Sequence, residues 1–132
     1  MSDQKLYHDQ LIEHYKYPTH RGTLEGANFT AQVFNPLCGD EVTMYGIIKN
    51  ETLTDCKFEG KGCVISLASA SMLADLVIGK SVKTILQLDK DIMLKLVKLK
   101  LGPTRLRCAL LALEALQKGV NDVASSPTSA GA

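Results

Sequence analysis

The chain has 132 residues, 45% of them apolar and 22% charged, which is enough for one domain with a core and too little for two. The net charge of +1 excludes a nucleic-acid surface built on a basic excess. No apolar run approaches the ~18 residues of a membrane span. The polar N-terminus MSDQKLYHDQ is neither a signal nor a transit peptide, so the expected compartment is the cytoplasm, where thiols stay reduced. Residues 3–17 are predicted helical, because Leu6, Tyr7, Leu11, His14 and Tyr15 recur at helical spacing and Pro18 stops the run. A loop, THRGTLEGAN, follows. Three β-type runs come next: FTAQVFN, EVTMYGIIK and TLTDCKFEG. Asn50-Glu51 between the second and third predicts a hairpin. In the third run, strict alternation puts Leu53, Asp55, Lys57 and Glu59 on one face, and Thr54, Cys56 and Phe58 on the other.

Beyond Gly60 and Gly62 the period becomes helical. CVISLASASMLADLVIGK predicts one helix closed by Gly79. Its small middle, Ala68 to Ser71, reads as a packing device. Ser81 caps a further helix. Residues 89–101 fit a helix better than a strand, and Gly102-Pro103 breaks them from a last helix over about 104–118. The tail NDVASSPTSAGA is polar and expected to be disordered. This gives a single domain over residues 1–120 and a tail over 121–132. The fold class is α+β, with a three-stranded antiparallel sheet and helices packed on one face.

Four cysteines are present: Cys38, Cys56, Cys63 and Cys108. In a reducing compartment, thiols that are not simply packed serve metal binding or catalysis. Cys56 lies within a strand and reads as a packed apolar residue. The other three occupy special backbone settings. Cys38 sits in a Pro/Gly loop beside Asp40. Cys63 follows Gly-Lys-Gly at the start of a helix. Cys108 is expected in about the first turn of the last helix. Helix N-termini favour thiolate over thiol, and Lys61, Arg105 and Arg107 push the same way, so Cys63 and Cys108 are expected to be reactive. The histidines His8, His14 and His20 cluster near the first helix and are expected to pack, cap or face solvent.

The segments LYHDQLIEHYKYP, NPLCGDEV, FEGKGCVISLASASML and RLRCALLALEAL, in that order, resemble the NifU/IscU/SufU-type iron–sulfur cluster assembly proteins. The resemblance runs from Leu6 to Val120. It implies a metal site at Cys38, Asp40, Cys63 and Cys108, holding a [2Fe–2S] cluster or Zn²⁺. Three thiolates suit both, and the oxygen ligand leaves one corner easier to open. It also implies a cysteine desulfurase as sulfur donor and apo-acceptor or carrier iron–sulfur proteins as recipients. Cys38 is the implied persulfide acceptor and Cys108 its rival. Arg107 stands where the IscU branch has a histidine. Leu101 to Arg105 replaces that branch's chaperone-recognition segment, so the resemblance does not extend to an Hsp70-type chaperone. The motifs are SufU-like, but the usual SufU insertion before the third cysteine is absent. A cluster scaffold is thus expected rather than an enzyme. A zinc-dependent sulfurtransferase is the near alternative and a Cys–His hydrolase the distant one.

Overall fold

A computed structural model describes residues 2–36 and 39–125. The elements, in chain order, are α1 (Ser2–Lys16), β1 (Phe29–Asn35), β2 (Asp40–Lys49), β3 (Thr52–Lys61), α2 (Val64–Val77), α3 (Val82–Leu86), α4 (Lys90–Val97) and α5 (Pro103–Ser125). The strands form one antiparallel sheet in the order β1-β2-β3. Helices α2 and α5 cover one face of it, which is the predicted α+β arrangement.

Apolar side chains on alternate strand positions meet the helices. Phe29, Val42, Met44 and Phe58 from the sheet are buried with Leu73 and Val77 of α2 and Leu113, Leu116 and Val120 of α5. Cys56 is wholly buried in this core. Glycine is required at two places around Phe29, because a Cβ at Gly46 or Gly119 would run into the ring. A smaller cluster joins Leu11 of α1 to Ala68, Met72 and Val97. Two histidines fasten the α1 region to α2. His14 Nδ1 lies 2.9 Å from Ser71 Oγ, and His20 Nε2 lies 2.7 Å from Asp75 Oδ1. The free edge of β3 is also covered: Phe58 N–H donates to His20 O and Gly22 N–H donates to Phe58 O.

Several expectations need correction. Strict alternation in β3 fails because the register shifts between Ile47 and Ile48, which face Asp55 and Leu53. Thr54 is the extra residue of this bulge, and its hydroxyl donates to Ile47 O at 3.1 Å. Leu53 is therefore buried on the same side as Cys56 and Phe58. Helix α4 ends at Val97, where Lys98 takes a left-handed conformation at φ 64. Helix α5 continues past Lys118, because Val120 is wholly buried and Val123 packs against the core. Residues 121–125, expected as tail, belong to it, and residues 126–132 lie outside the described residues.

The hairpin between β2 and β3 is as expected. Lys49 pairs with Thr52, and Asn50 and Glu51 both have positive φ, 52 and 62. That is the primed turn whose twist suits a two-residue hairpin.

Candidate metal centre

Three separate elements deliver one donor each. Asp40 is the first residue of β2, Cys63 is the N-cap of α2, and Cys108 lies in the second turn of α5. A carboxylate oxygen of Asp40 and the two Sγ atoms all lie within 4.8 Å of one another. Bonds of about 2.0–2.3 Å to one ion hold its ligand atoms within roughly 4 Å of each other. The three donors thus stand near binding separation, and their mixed sulfur–oxygen chemistry fits zinc or iron.

The strand-to-helix junction brings Cys63 to Asp40. Gly62 has φ +151, and a Cβ there would come within 2.6 Å of Asp40 Cγ. Only glycine lets the chain pass so close to the carboxylate. Asp40 Oδ1 then accepts the Cys63 backbone N–H at 3.3 Å, and Oδ2 accepts the Ser66 hydroxyl at 2.6 Å. The first turn of α2 carries no acidic residue of its own, so Asp40 supplies the negative charge at that positive helix end.

The two described thiols of the site differ. Cys63 is exposed, whereas Cys108 is only 4% exposed. Burial, followed by the nearby Cys63 thiol, pushes the Cys108 thiol up to about 12; the Ser66 hydroxyl partly opposes this and the Asp40 carboxylate adds to it. The expected reactive thiolate at Cys108 is therefore corrected: without a metal it is held as the thiol. Helix α5 begins early, with Leu106 N–H donating to Gly102 O. Cys108 is thus carried past the exposed first turn. Arg105 and Arg107 are both exposed and do not offset the burial.

Cys38 and its neighbour Leu37 lie outside the described residues. Cys56 is not part of the group, and burial, followed by Asp55, pushes its thiol up to about 12. A cleft of about 580 Å³ opens onto the three donors, walled by Leu11, Val64 and Leu99, with His8, Lys100 and Arg105 also lining it. Two contributors escaped sequence reasoning. Ser66 was hidden in a helix whose small residues look like packing, although its place three residues after Cys63 is the available signal. His8 reaches the cleft only because α1 folds back across α2, which no local pattern records.

A family model described as "NifU-like N terminal domain" matches residues 6–129. The zinc-dependent sulfurtransferase SufU of Bacillus subtilis is 34% identical over 132 aligned positions, covering 87% of this chain and 89% of that protein. The iron–sulfur cluster assembly scaffold protein IscU 1 of Archaeoglobus fulgidus is 30% identical over 117 positions, covering 89% of this chain and 76% of that protein. The first alignment has more positions than this chain contributes residues, so it contains gaps on this side, whereas the second is nearly gapless. Among solved structures, a candidate iron–sulfur cluster assembly scaffold for the SUF system from Fervidobacterium islandicum superposes with a TM-score of 0.75 at 26% identity, covering 85% of this chain and 94% of that one.

Proposed function

Because the chain belongs to the NifU-like N-terminal domain family, we propose that it is an iron–sulfur cluster assembly protein. It accepts persulfide sulfur from a cysteine desulfurase, assembles a [2Fe–2S] cluster as cargo, and passes it to apo-acceptor or carrier proteins. The proposed ligands are Cys38, Asp40, Cys63 and Cys108. The observation that carries this reading is the convergence of Asp40, Cys63 and Cys108 from three elements to within 4.8 Å. The proposed site of action is the cytoplasm; among the described residues no helix is long and apolar enough to cross a membrane.

Sulfur arrives by exchange. An acceptor thiolate attacks the outer sulfur of the donor's persulfide, a new S–S bond forms on the acceptor, and the donor's cysteine leaves as thiolate. No net electron is needed for that step, whereas each persulfide sulfur that becomes cluster sulfide takes two electrons from an external reductant. Cys108 is buried, which disfavours it as the first acceptor. The proposed acceptor is Cys38, as the resemblance implies, with Cys63 as the exposed thiol beside Asp40. Three soft donors hold the cargo, and the carboxylate marks the corner that opens for its release.

A second reading has its own support. The likeness to the B. subtilis sulfurtransferase favours a zinc-dependent relay in which the same residues hold Zn²⁺ and sulfur is only passed on. The nearly gapless alignment with the A. fulgidus scaffold favours the first. Anaerobic purification with metal and sulfide analysis separates them. A coloured protein with iron and acid-labile sulfide is the expected result. A colourless protein with stoichiometric zinc that accelerates desulfurase turnover would establish the relay instead, and protein binding neither would sink both.

A further inference from the structure

Ser66 lies three residues after Cys63, on the first turn of α2, and is wholly buried. Its hydroxyl donates to Asp40 Oδ2 at 2.6 Å and stands 3.6 Å from Cys63 Sγ. The other carboxylate oxygen, Oδ1, takes the Cys63 backbone N–H at 3.3 Å. A buried hydroxyl is costly unless it is partnered. Ser69, one turn further along the same helix, shows what a packing serine looks like here: its buried hydroxyl has no partner among the described residues. Ser66 differs because its proton is committed to the metal centre.

We propose that Ser66 is a positioning residue of this centre, which through its bond to Asp40 Oδ2 fixes the orientation in which the carboxylate meets an ion shared with Cys63 and Cys108. The inference rests on the proposed reading that Asp40 is a ligand. A serine hydroxyl has one proton to give. At 2.6 Å it gives that proton in a short, charge-assisted bond, and the same hydroxyl stands beside the Cys63 and Cys108 thiols. The bond also fixes the rotation of the carboxylate plane. Without it the carboxylate keeps the Cys63 N–H on Oδ1 but loses the short bond that sets its plane. Partners behind the ligands commonly tune metal sites in this manner, and their loss weakens affinity by roughly 10- to 100-fold.

The test uses Co²⁺ alone, titrated anaerobically into the metal-free full chain. Bound Co²⁺ reports thiolate ligation by charge transfer and coordination number by the strength of its visible bands. Wild type is expected to give strong four-coordinate bands. Ser66→Ala is expected to bind roughly 10- to 100-fold more weakly and to show several-fold weaker visible bands, as the carboxylate, no longer fixed in its plane, lets the ion depart from four-coordination. Ser66→Thr, which keeps the hydroxyl, is expected to restore the wild-type spectrum. In an Asp40→Ala background, the further change Ser66→Ala should have a much smaller effect, limited to the contacts of the hydroxyl with the thiols. Alanine is a better helix former than serine, and far-UV circular dichroism verifies that each variant is folded. A Ser66→Ala spectrum and affinity identical to wild type would overturn the inference, as would an undiminished effect of Ser66→Ala without Asp40. Wild type without thiolate-to-cobalt charge transfer would remove the proposed site itself, and this inference with it.

Discussion

Asp40 performs two jobs at one position. It neutralises the positive end of α2 through the Cys63 N–H, and it is the proposed oxygen ligand. The cargo and zinc readings predict opposite signs for Asp40→Ala. If the carboxylate keeps the site labile, the variant releases an assembled cluster to an apo-acceptor more slowly. If the site is a tetrahedral zinc centre, the variant loses zinc to a chelator faster, because water enters the opened position. Both rates can be followed on one protein pair by absorbance. Faster cluster loss in the variant would reduce Asp40 to an ordinary stabilising ligand. Sequence pointed to Asp40, Cys63 and Cys108 through their backbone settings and the family resemblance, and the fold brings these three together. The protonation of Cys108 was not legible. A helix start can be read from Gly102-Pro103, but which turn is buried depends on what packs there. Ser66 was harder to read for a related reason: its place three residues after Cys63 is a signal, but the carboxylate that it meets lies 26 residues away.

Among the elements, two junctions decide the local geometry. The turn from β3 into α2 works only with Gly62, whose φ of +151 and contact with Asp40 exclude any side chain. Gly62→Ala is expected to cost about 1–3 kcal/mol of stability and to lose bound metal, measured by urea unfolding and by metal content after desalting. Retention of wild-type metal content would show that the carboxylate can move without consequence. At the β2–β3 hairpin, Glu51 occupies a left-handed conformation at φ 62 that glycine tolerates better. Its carbonyl, which accepts the Val82 N–H at 2.8 Å, survives substitution. Glu51→Gly should therefore raise the urea midpoint, with a gain of about 1 kcal/mol. The hairpin was legible because Asn-Glu sits between two β-type runs. The β3 bulge was not, because Thr54 carries no glycine or other marker and is singled out only by its pairing with β2. The end of α5 was misjudged for its polarity: past the buried Val120, Val123 packs against the core from among residues that read as tail.

For the whole molecule, alkaline pH is the expected weakness of the metal-free form. Cys56 and Cys108 both have thiols raised from 9.0 to about 12, chiefly by burial. A raised folded value means the native state holds its proton more tightly than the unfolded chain does. Stability from these two groups is fully present below pH 9 and is lost as pH rises toward 12. Thermal unfolding of the metal-free protein across pH 7–11 should show a falling midpoint above about pH 9. Cys56→Val, which removes one of the two groups, should flatten that fall. A midpoint independent of pH in wild type would show that neither thiol is desolvated as described. Metal binding runs the other way, since the ion displaces the Cys108 proton and affinity rises with pH.

The placement of Asp40, Cys63 and Cys108 on β2, α2 and α5 gives the centre a mechanical meaning. An ion held by all three would act as a reversible staple, tying together stretches of chain that are far apart in sequence. Asp40 and Cys63 are separated by 23 positions, and Cys108 draws in the last helix as well. Cross-linking loops of such length restricts the unfolded chain by a few kcal/mol, as a disulfide does, but this tie can be undone without reducing a bond. Loading would tighten the seam between the sheet's end and the two helices that cover it. Unloading would slacken that seam, so a partner protein meeting this surface could feel whether the molecule is full or empty from its stiffness alone.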